Sequence, residues 1–318
     1  MATILVTGAT GFVGGALVPA LAAAGHRVVR VVRETAMPGD LAVRDLLEWR
    51  PEPRDLAGID AIVHLAARTH VMHESSADPL AAYRALNVGV TARLAAAAAQ
   101  AGVRRFVFLS SIKVNGEATH GRAFTADDAP HPEDAYGVSK REAEDGLRDI
   151  AHRTGLEVVV LRPPLVYGPG VKGNLRALMH AIDRGMPLPL ASIANRRSLV
   201  GIDNLVSAIA LAATHPSAAG RTFLVSDGED LSTPELVRAI AAGLGRRARL
   251  LPCPVALLRL AGRVTGRGAA IDRLAGSLEV DASALRQALG WQPLVPPAVG
   301  LARMAGWYHA HTPTVNAD

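Results

Sequence analysis

Two rhythms of apolar residues alternate along the first half of the chain. Short β-favouring runs lie at Thr3–Val6, Arg27–Val32, Ala61–Leu65, Phe106–Ser110 and Glu157–Leu161. Longer Ala- and Leu-rich stretches lie between them at Gly11–Ala24, Asp78–Ala101 and Ala135–Thr154. The first set reads as strands and the second as helices. Strands that are apolar almost throughout, separated by helices, predict βαβ units and a parallel sheet covered on both faces. Arg162-Pro163-Pro164 ends this rhythm. Pro169, Gly170, Gly173, Gly185, Pro187 and Pro189 then crowd the chain, and the elements become short. Ile202–Ala213 reads as a helix and Thr222–Val225 as a further strand. Thr233-Pro234-Glu235 opens another helix, with Ser232 or Thr233 as N-cap and proline at a tolerated first-turn position. Leu289-Gly290-Trp291 reads as a capped helix end with a packed aromatic.

The first strand runs directly into Thr7-Gly8-Ala9-Thr10-Gly11-Phe12-Val13-Gly14. Glycines at i, i+3 and i+6 allow a tight turn, a close approach to a pyrophosphate and close packing of helix on strand. The helix start then offers free N–H groups and a positive dipole end. A strand before and a helix after are the context this motif requires. The predicted fold is therefore α/β, a doubly wound parallel sheet with a smaller C-terminal α/β portion. The sheet domain is expected at 1–166 plus roughly 198–228. The second, over 167–197 plus roughly 229–318, is expected to lie over the C-terminal edge of the sheet, where ligands of such folds bind.

Composition narrows the class. The 318 residues are enough for a large α/β core, and with 49% hydrophobic but only 4% aromatic residues that core must be Ala, Val and Leu. No apolar run approaches the ~18 residues of a membrane span, and the chain enters a strand without a leader pattern, so a cytoplasmic location is expected. Cys253, the single cysteine, cannot form an internal disulfide and is expected as a small core residue. The net charge is +5, and only Lys113, Lys140 and Lys172 of the 34 basic residues are lysines. This arginine bias suits anionic ligands, or reflects genome composition alone. No basic cluster with interleaved aromatics points to nucleic acid.

Tyr136 and Lys140 stand four apart in the third predicted helix, on one face. A tyrosine titrates near 10, and an adjacent cation brings it towards the working range of an acid–base group. Chance would place only about 0.04 such pairs in a chain with so few tyrosines and lysines. Ser110 and Ser111 end a buried strand, where a hydroxyl meets a ligand or satisfies the strand end. His64, His70 and His73 lack the cysteine or carboxylate partners of a metal site, and none is expected. Thr69–Met72 reads instead as a loop near the substrate.

Glycine-rich first turn, strand-end serine and Tyr-x-x-x-Lys together resemble the extended short-chain dehydrogenase/reductase family, with its Rossmann-type fold. His64-Leu65-Ala66-Ala67, Asn87-Val88 and Arg162-Pro163 are similar to further marks of that family. The resemblance covers essentially the whole chain. It implies that Ser111 orients the substrate oxygen, Tyr136 exchanges the proton, and Lys140 binds the nicotinamide ribose and lowers the Tyr136 pKa. It implies a cofactor site of Gly8, Thr10, Gly11, Phe12, Val13, Arg33, Leu65, Ala66, Ala67, Asn87, Ser110, Tyr136, Lys140 and Pro163. The implied substrate contacts are Thr69, Ser111, Lys113, Tyr136, Asn174, Arg197 and Arg273. Asn174 belongs beside a diphosphate, and Arg197 and Arg273 grip one through paired guanidinium hydrogen bonds.

Several segments resemble bacterial reductases of UDP-linked 4-keto-6-deoxy-N-acetylhexosamines from surface-polysaccharide pathways, which are close to UDP-sugar 4-epimerases. The expected activity is NADPH-dependent reduction of a C4 ketone on a UDP-sugar. The alternative is a UDP-glucose or UDP-N-acetylglucosamine 4-epimerase with tightly held NAD. A non-catalytic dinucleotide sensor is a remote third, disfavoured by the intact Ser111–Tyr136–Lys140 set. The cofactor expectation rests on the second strand: where NAD readers place an acid this chain has Val32, and Arg33 follows, which suits the 2′-phosphate of NADP(H). NAD(H) stays open if Glu34 does the acid's work. Asn115-Gly116, where an epimerase typically has Tyr-Gly, weakens a direct transfer of UDP-galactose activity. A homodimer through Asp78–Ala101 and Ala135–Thr154 is implied by the resemblance.

Overall fold

The structure is a computed structural model and describes residues 1–34, 37–69, 78–266 and 268–312. In chain order the sheet half comprises β1 (Thr3–Thr7), α1 (Phe12–Ala23), β2 (Arg27–Val32), β3 (Leu41–Ala42), β4 (Ala61–His64), α2 (Pro79–Arg84), α3 (Thr91–Gln100), β5 (Arg105–Leu109), α4 (Ala135–Thr154) and β6 (Glu157–Arg162). Then follow β7 (Leu165–Tyr167), α5 (Asn174–Asp183), β8 (Leu199–Gly201), α6 (Ile202–Thr214), β9 (Thr222–Leu224) and α7 (Thr233–Gly243). The chain closes with α8 (Val255–Val264), α9 (Gly268–Ala275), α10 (Ser283–Leu289) and α11 (Pro297–His311).

Seven strands form one sheet in the order β3-β2-β1-β4-β5-β6-β9, parallel at every pairing. The order reverses between β1 and β4, so the ends of these two strands flank a crevice. Alternate residues of each strand face opposite sides. Ile4, Val6, Val63 and Val107 pack against α1 and α6, with Leu17, Leu205 and Ile209. Leu5, Ile62, Phe106 and Phe108 pack on the other face against α3 and α4, with Leu94, Ala143 and Leu147. The strands are buried on both faces, as their unbroken apolar runs require. The sheet is the Rossmann-type α/β fold expected.

Three local differences from the sequence reading have physical causes. The stretch expected as one helix over Asp78–Ala101 carries a π-helical segment at Ala85–Val90 between α2 and α3. Bulges of this kind cluster at functional sites, and this one carries Asn87. β7 and β8 pair as a second small parallel sheet and were not expected, because three-residue strands leave no periodicity to read. Cys253 lies partly exposed in a loop, its N–H donating to Ser192 Oγ, and is not a core residue. At the expected caps, Ser232 rather than Thr233 caps α7, in a reciprocal arrangement with Glu235. Gly290 ends α10 at φ 66°, and Trp291 packs behind it with its indole N–H on Ser207.

A third apolar cluster joins β7 and β8 to α5, α7 and α11 through Tyr167, Met179, Val237 and Leu301. A polar knot fixes it to the sheet. Asp227, just beyond β9, accepts from the Tyr167 hydroxyl at 2.7 Å, the Asn204 amide at 2.7 Å and the Gly201 N–H at 3.0 Å. Asn204 in turn donates to the Val295 carbonyl and accepts from the Leu294 and Val295 N–H groups ahead of α11. No helix among the described residues is long and apolar enough to cross a membrane.

Candidate active site

β1 delivers the glycine turn to the crevice. Gly8 adopts φ +67°, and a Cβ there would lie 2.9 Å from the Ala66 nitrogen beyond β4. Leu65-Ala66-Ala67 therefore lies directly against the turn. A Cβ on Gly14 would sit 2.2 Å from the Gly8 carbonyl oxygen, which forces glycine where α1 meets its own turn. Gly11 is the N-cap, no side chain caps the helix, and its first turn holds no acid. The N–H groups of that turn are left for an anion. Phe12 reaches from this turn to Gly170 of the loop after β7, with 3.7 Å to the position of a Cβ there. These features fit a dinucleotide pyrophosphate, and Gly8, Gly11, Phe12 and Val13 are the residues that would hold it.

A buried chain of hydroxyls and an imidazole sets the neighbouring loop. Thr91 donates to the Asn87 carbonyl at 2.7 Å. Its oxygen is thus left to accept from His64 Nε2, 2.9 Å away. His64 Nδ1 then accepts from Thr7, 2.7 Å away, and Thr7 Oγ1 accepts the Ala66 N–H at 3.2 Å. Each hydrogen has one place, so the neutral tautomer with its proton on Nε2 is required. Burial and the Lys140 charge lower the His64 pKa to about 3. Asn87 braces the loop to α4, with Arg68 N–H and carbonyl on its amide and Nδ2 donating to Ser139 Oγ at 2.9 Å.

Tyr136 and Lys140 lie in the first two turns of α4, which Asp134 caps by accepting the Gly137 N–H at 2.7 Å. The Ser111 hydroxyl hydrogen-bonds to the Tyr136 oxygen. Lys140 is buried, donates to the Leu109 carbonyl at 2.8 Å and stacks over Phe108 at 4.4 Å. Its Nζ lies 5.9 Å from the Tyr136 ring centre. Desolvation raises the Tyr136 pKa above its ordinary 10, against the lowering effect of Ser111. Desolvation lowers that of Lys140 to about 7, against the Glu144 charge. The adjacent Lys140 cation was expected to bring the tyrosine down; without cofactor the largest effect on Tyr136 is desolvation, which raises it. In the protein by itself burial wins, and Tyr136 is a neutral phenol ready to donate.

Glu144 is a residue the sequence reading missed. It continues the Tyr136–Lys140 spacing one helical turn further, and that i, i+4, i+8 pattern was the available signal. Its carboxylate accepts from Ser110 at 2.5 Å and from Arg162 at 3.0 and 2.5 Å, all of it buried. Arg162 also donates to Asn115 Oδ1 at 2.9 Å, and Asn115 holds the Thr125 carbonyl. The Ser110 hydroxyl hydrogen therefore serves this pair below Lys140, which leaves its oxygen as an acceptor and its carbonyl for a cofactor contact. Pro163 sits beside the serines, its carbonyl accepting the Ile112 N–H.

The two expected substrate arginines are brought together. Arg197 Nη1 donates to the carbonyls of Arg273 and Gly276, and Arg197 senses both the Arg273 cation and the Glu117 anion. Asn195 and Thr233 hold the same loop through the Leu274 and Gly276 carbonyls. Lys113 stands differently from the expected sugar contact. Its ammonium lies 2.6 Å from Glu117 and 2.5 Å from Asp134, clamping the turn that carries Ser111 to the helix that carries Tyr136. A Cβ on Gly137 would lie 2.8 Å from the Lys113 carbonyl, so the two segments touch through backbone. Asn174, at the start of α5, and Thr69 are exposed. Arg33 is exposed at the end of β2, while Arg30 pairs with Asp40. His70, Val71, Met72 and His73 lie outside the described residues, among which no group of three metal-ligating side chains occurs.

The clamp makes a prediction with opposite signs. Asp134 raises the Tyr136 pKa, and Lys113 is paired with that carboxylate at 2.5 Å. Asp134→Asn keeps a capping oxygen and should move the pH profile of kcat/KM down. Lys113→Met leaves Asp134 unopposed and should move it up. Profiles that stay superimposable in both variants would show the clamp to be structural only.

A family profile described as the NAD dependent epimerase/dehydratase family matches residues 4–226. Over 297 residues, 92% of this chain and 90% of its relative, the protein is 45% identical to a Vibrio cholerae protein named UDP-glucose 4-epimerase. The solved structure of MoeE5 in complex with UDP-glucose and NAD is 29% identical, with a TM-score of 0.78 over 97% of this chain and 99% of that one. UDP-N-acetylglucosamine 4-epimerase from Bacillus cereus shares the fold, with a TM-score of 0.78 at 21% identity over 97% and 99% of the two chains. By that profile match and the 45% identity, the chain belongs to the NAD-dependent epimerase/dehydratase family and is an extended short-chain dehydrogenase/reductase enzyme.

Proposed function

We propose that the protein is a UDP-hexose 4-epimerase that retains NAD. The observation that carries this reading is the 45% identity, over nine-tenths of both chains, to a protein named UDP-glucose 4-epimerase. It supports the epimerase over the C4-ketone reduction expected first. Ser111, Tyr136 and Lys140 form the reacting set. Tyr136 takes the proton of the C4 hydroxyl and later returns it, while Ser111 holds the same oxygen. The Lys140 cation stabilises the phenolate that must stand ready before the first transfer and that re-forms after the second; between them Tyr136 is the neutral phenol. NAD, when bound, supplies the acceptor and then the donor of the C4 hydride. Turning the sugar between the two transfers inverts C4, and no net redox change results. Arg197 and Arg273 anchor the diphosphate while the sugar turns.

Arg33 favours a second reading, an NADPH-dependent C4-ketone reductase, because an arginine at the end of β2 suits a 2′-phosphate. One experiment separates the two. The purified protein is denatured and the released nucleotide identified, and the native protein is given UDP-glucose and UDP-N-acetylglucosamine without added cofactor. Released NAD and formation of the C4 epimer are expected. A nucleotide-free protein that oxidises added NADPH with a 4-keto sugar nucleotide, and forms no epimer, overturns the epimerase.

A further inference from the structure

α8 and α9 pack on each other as a helical hairpin that contributes no residue to the apolar clusters of the core. α8 and α9 cross closely at Gly262, where a Cβ would lie 2.7 Å from Ile271 Cδ1 and 3.3 Å from the Gly268 Cα. Helical spacing places Leu258 with Gly262 on the side that meets α9. Leu257, Leu260 and Val264 then share a different face. These three side chains are 56%, 58% and 81% exposed, and Leu251 and Leu274, before and within the hairpin, are exposed as well. Five of the twelve exposed large apolar side chains among the described residues thus fall within 251–276. Such a concentration marks an interaction surface, whereas single exposed leucines do not.

The charge of the hairpin identifies the occupant. By sequence it carries Arg259, Arg263, Arg267 and Arg273 against one acid, Asp272, and no lysine or glutamate. Asp272 is engaged by Arg259 at 3.0 Å. Helical spacing sets Arg263 at the border of the apolar face, and a net positive hairpin with such a face matches a bilayer surface, with leucines at the acyl boundary and guanidinium groups at the lipid phosphates. A second copy on a two-fold axis would set the same arginines against each other. We propose that the α8–α9 hairpin docks this enzyme on an anionic lipid surface. Arg197 holds the Arg273 and Gly276 carbonyls at the end of this hairpin, so docking brings the arginine pair beside the bilayer.

The test is flotation of the full-length protein with vesicles of phosphatidylglycerol and phosphatidylcholine, and with phosphatidylcholine alone. Binding to the mixed vesicles, weakened by salt, is expected, with little binding to the neutral ones. The double variant Leu257→Asp, Leu260→Asp should lose about tenfold or more of that binding, and Arg263→Glu should weaken it further at low salt. Both variants are checked for an unchanged melting temperature, since these side chains make no core contact. Failure of the wild-type protein to float, or equal flotation of the double variant, overturns the proposal. A wild-type dimer that the double variant converts to monomer, without lipid binding, overturns it in favour of a second copy.

Discussion

Tyr136→Phe abolishes proton exchange while leaving the fold and the nucleotide site in place, and turnover falls by about 10²–10⁴-fold. The ring stays packed beside Tyr83, with centroids 6.1 Å apart, and only the oxygen bonded to Ser111 is lost. Melting temperature and nucleotide content therefore stay near wild type. Lys140→Met gives the complementary result. Without the cation the phenolate is disfavoured, so the limb of the pH profile that reports Tyr136 ionisation moves to higher pH. Ser111→Ala moves it the same way, because the Ser111 hydrogen bond lowers the Tyr136 pKa. A Tyr136→Phe variant that keeps wild-type turnover refutes the assignment of this site.

Gly14→Ala carries the second largest effect. The added methyl would overlap the Gly8 oxygen at 2.2 Å and the Ala9 backbone at 2.7 and 2.8 Å. Backbone yields less readily than a side chain end, so the cost reaches the upper end of overpacking, about 3 kcal/mol. The turn and α1 must separate, which withdraws the free N–H groups from the pyrophosphate. Purified Gly14→Ala is expected to retain no nucleotide and to melt well below wild type. Gly15→Ala is the control, because a Cβ at that helical position meets nothing within 4 Å. Equal nucleotide retention in both variants would remove the packing argument.

Apart from the two-residue β3, too short to leave a pattern, the strands up to β6 were legible because buried parallel strands need unbroken apolar runs. The glycine turn and the Tyr136–Lys140 pair were legible for a related reason: each is a local spacing that one element enforces. Arg197 and Arg273 needed the resemblance, since they meet across 76 positions through backbone carbonyls that leave no trace in composition. Lys113 was placed by its neighbours in sequence, but its partners Glu117 and Asp134 were not foreseen, and those partners decide what its charge does. Glu144 was legible in spacing and overlooked. Its value lies in Arg162, which arrives from β6. The sign of the Tyr136 shift was beyond sequence altogether, because desolvation depends on what the fold piles around the ring.

The Asp227 knot has a mechanical consequence. One carboxylate joins the end of β7, the start of α6 and, through Asn204, the approach to α11. Any widening of the crevice must leave these three lines joined at a point, which is the arrangement of a pivot. Travel is then smallest beside Tyr167 and grows with distance from it.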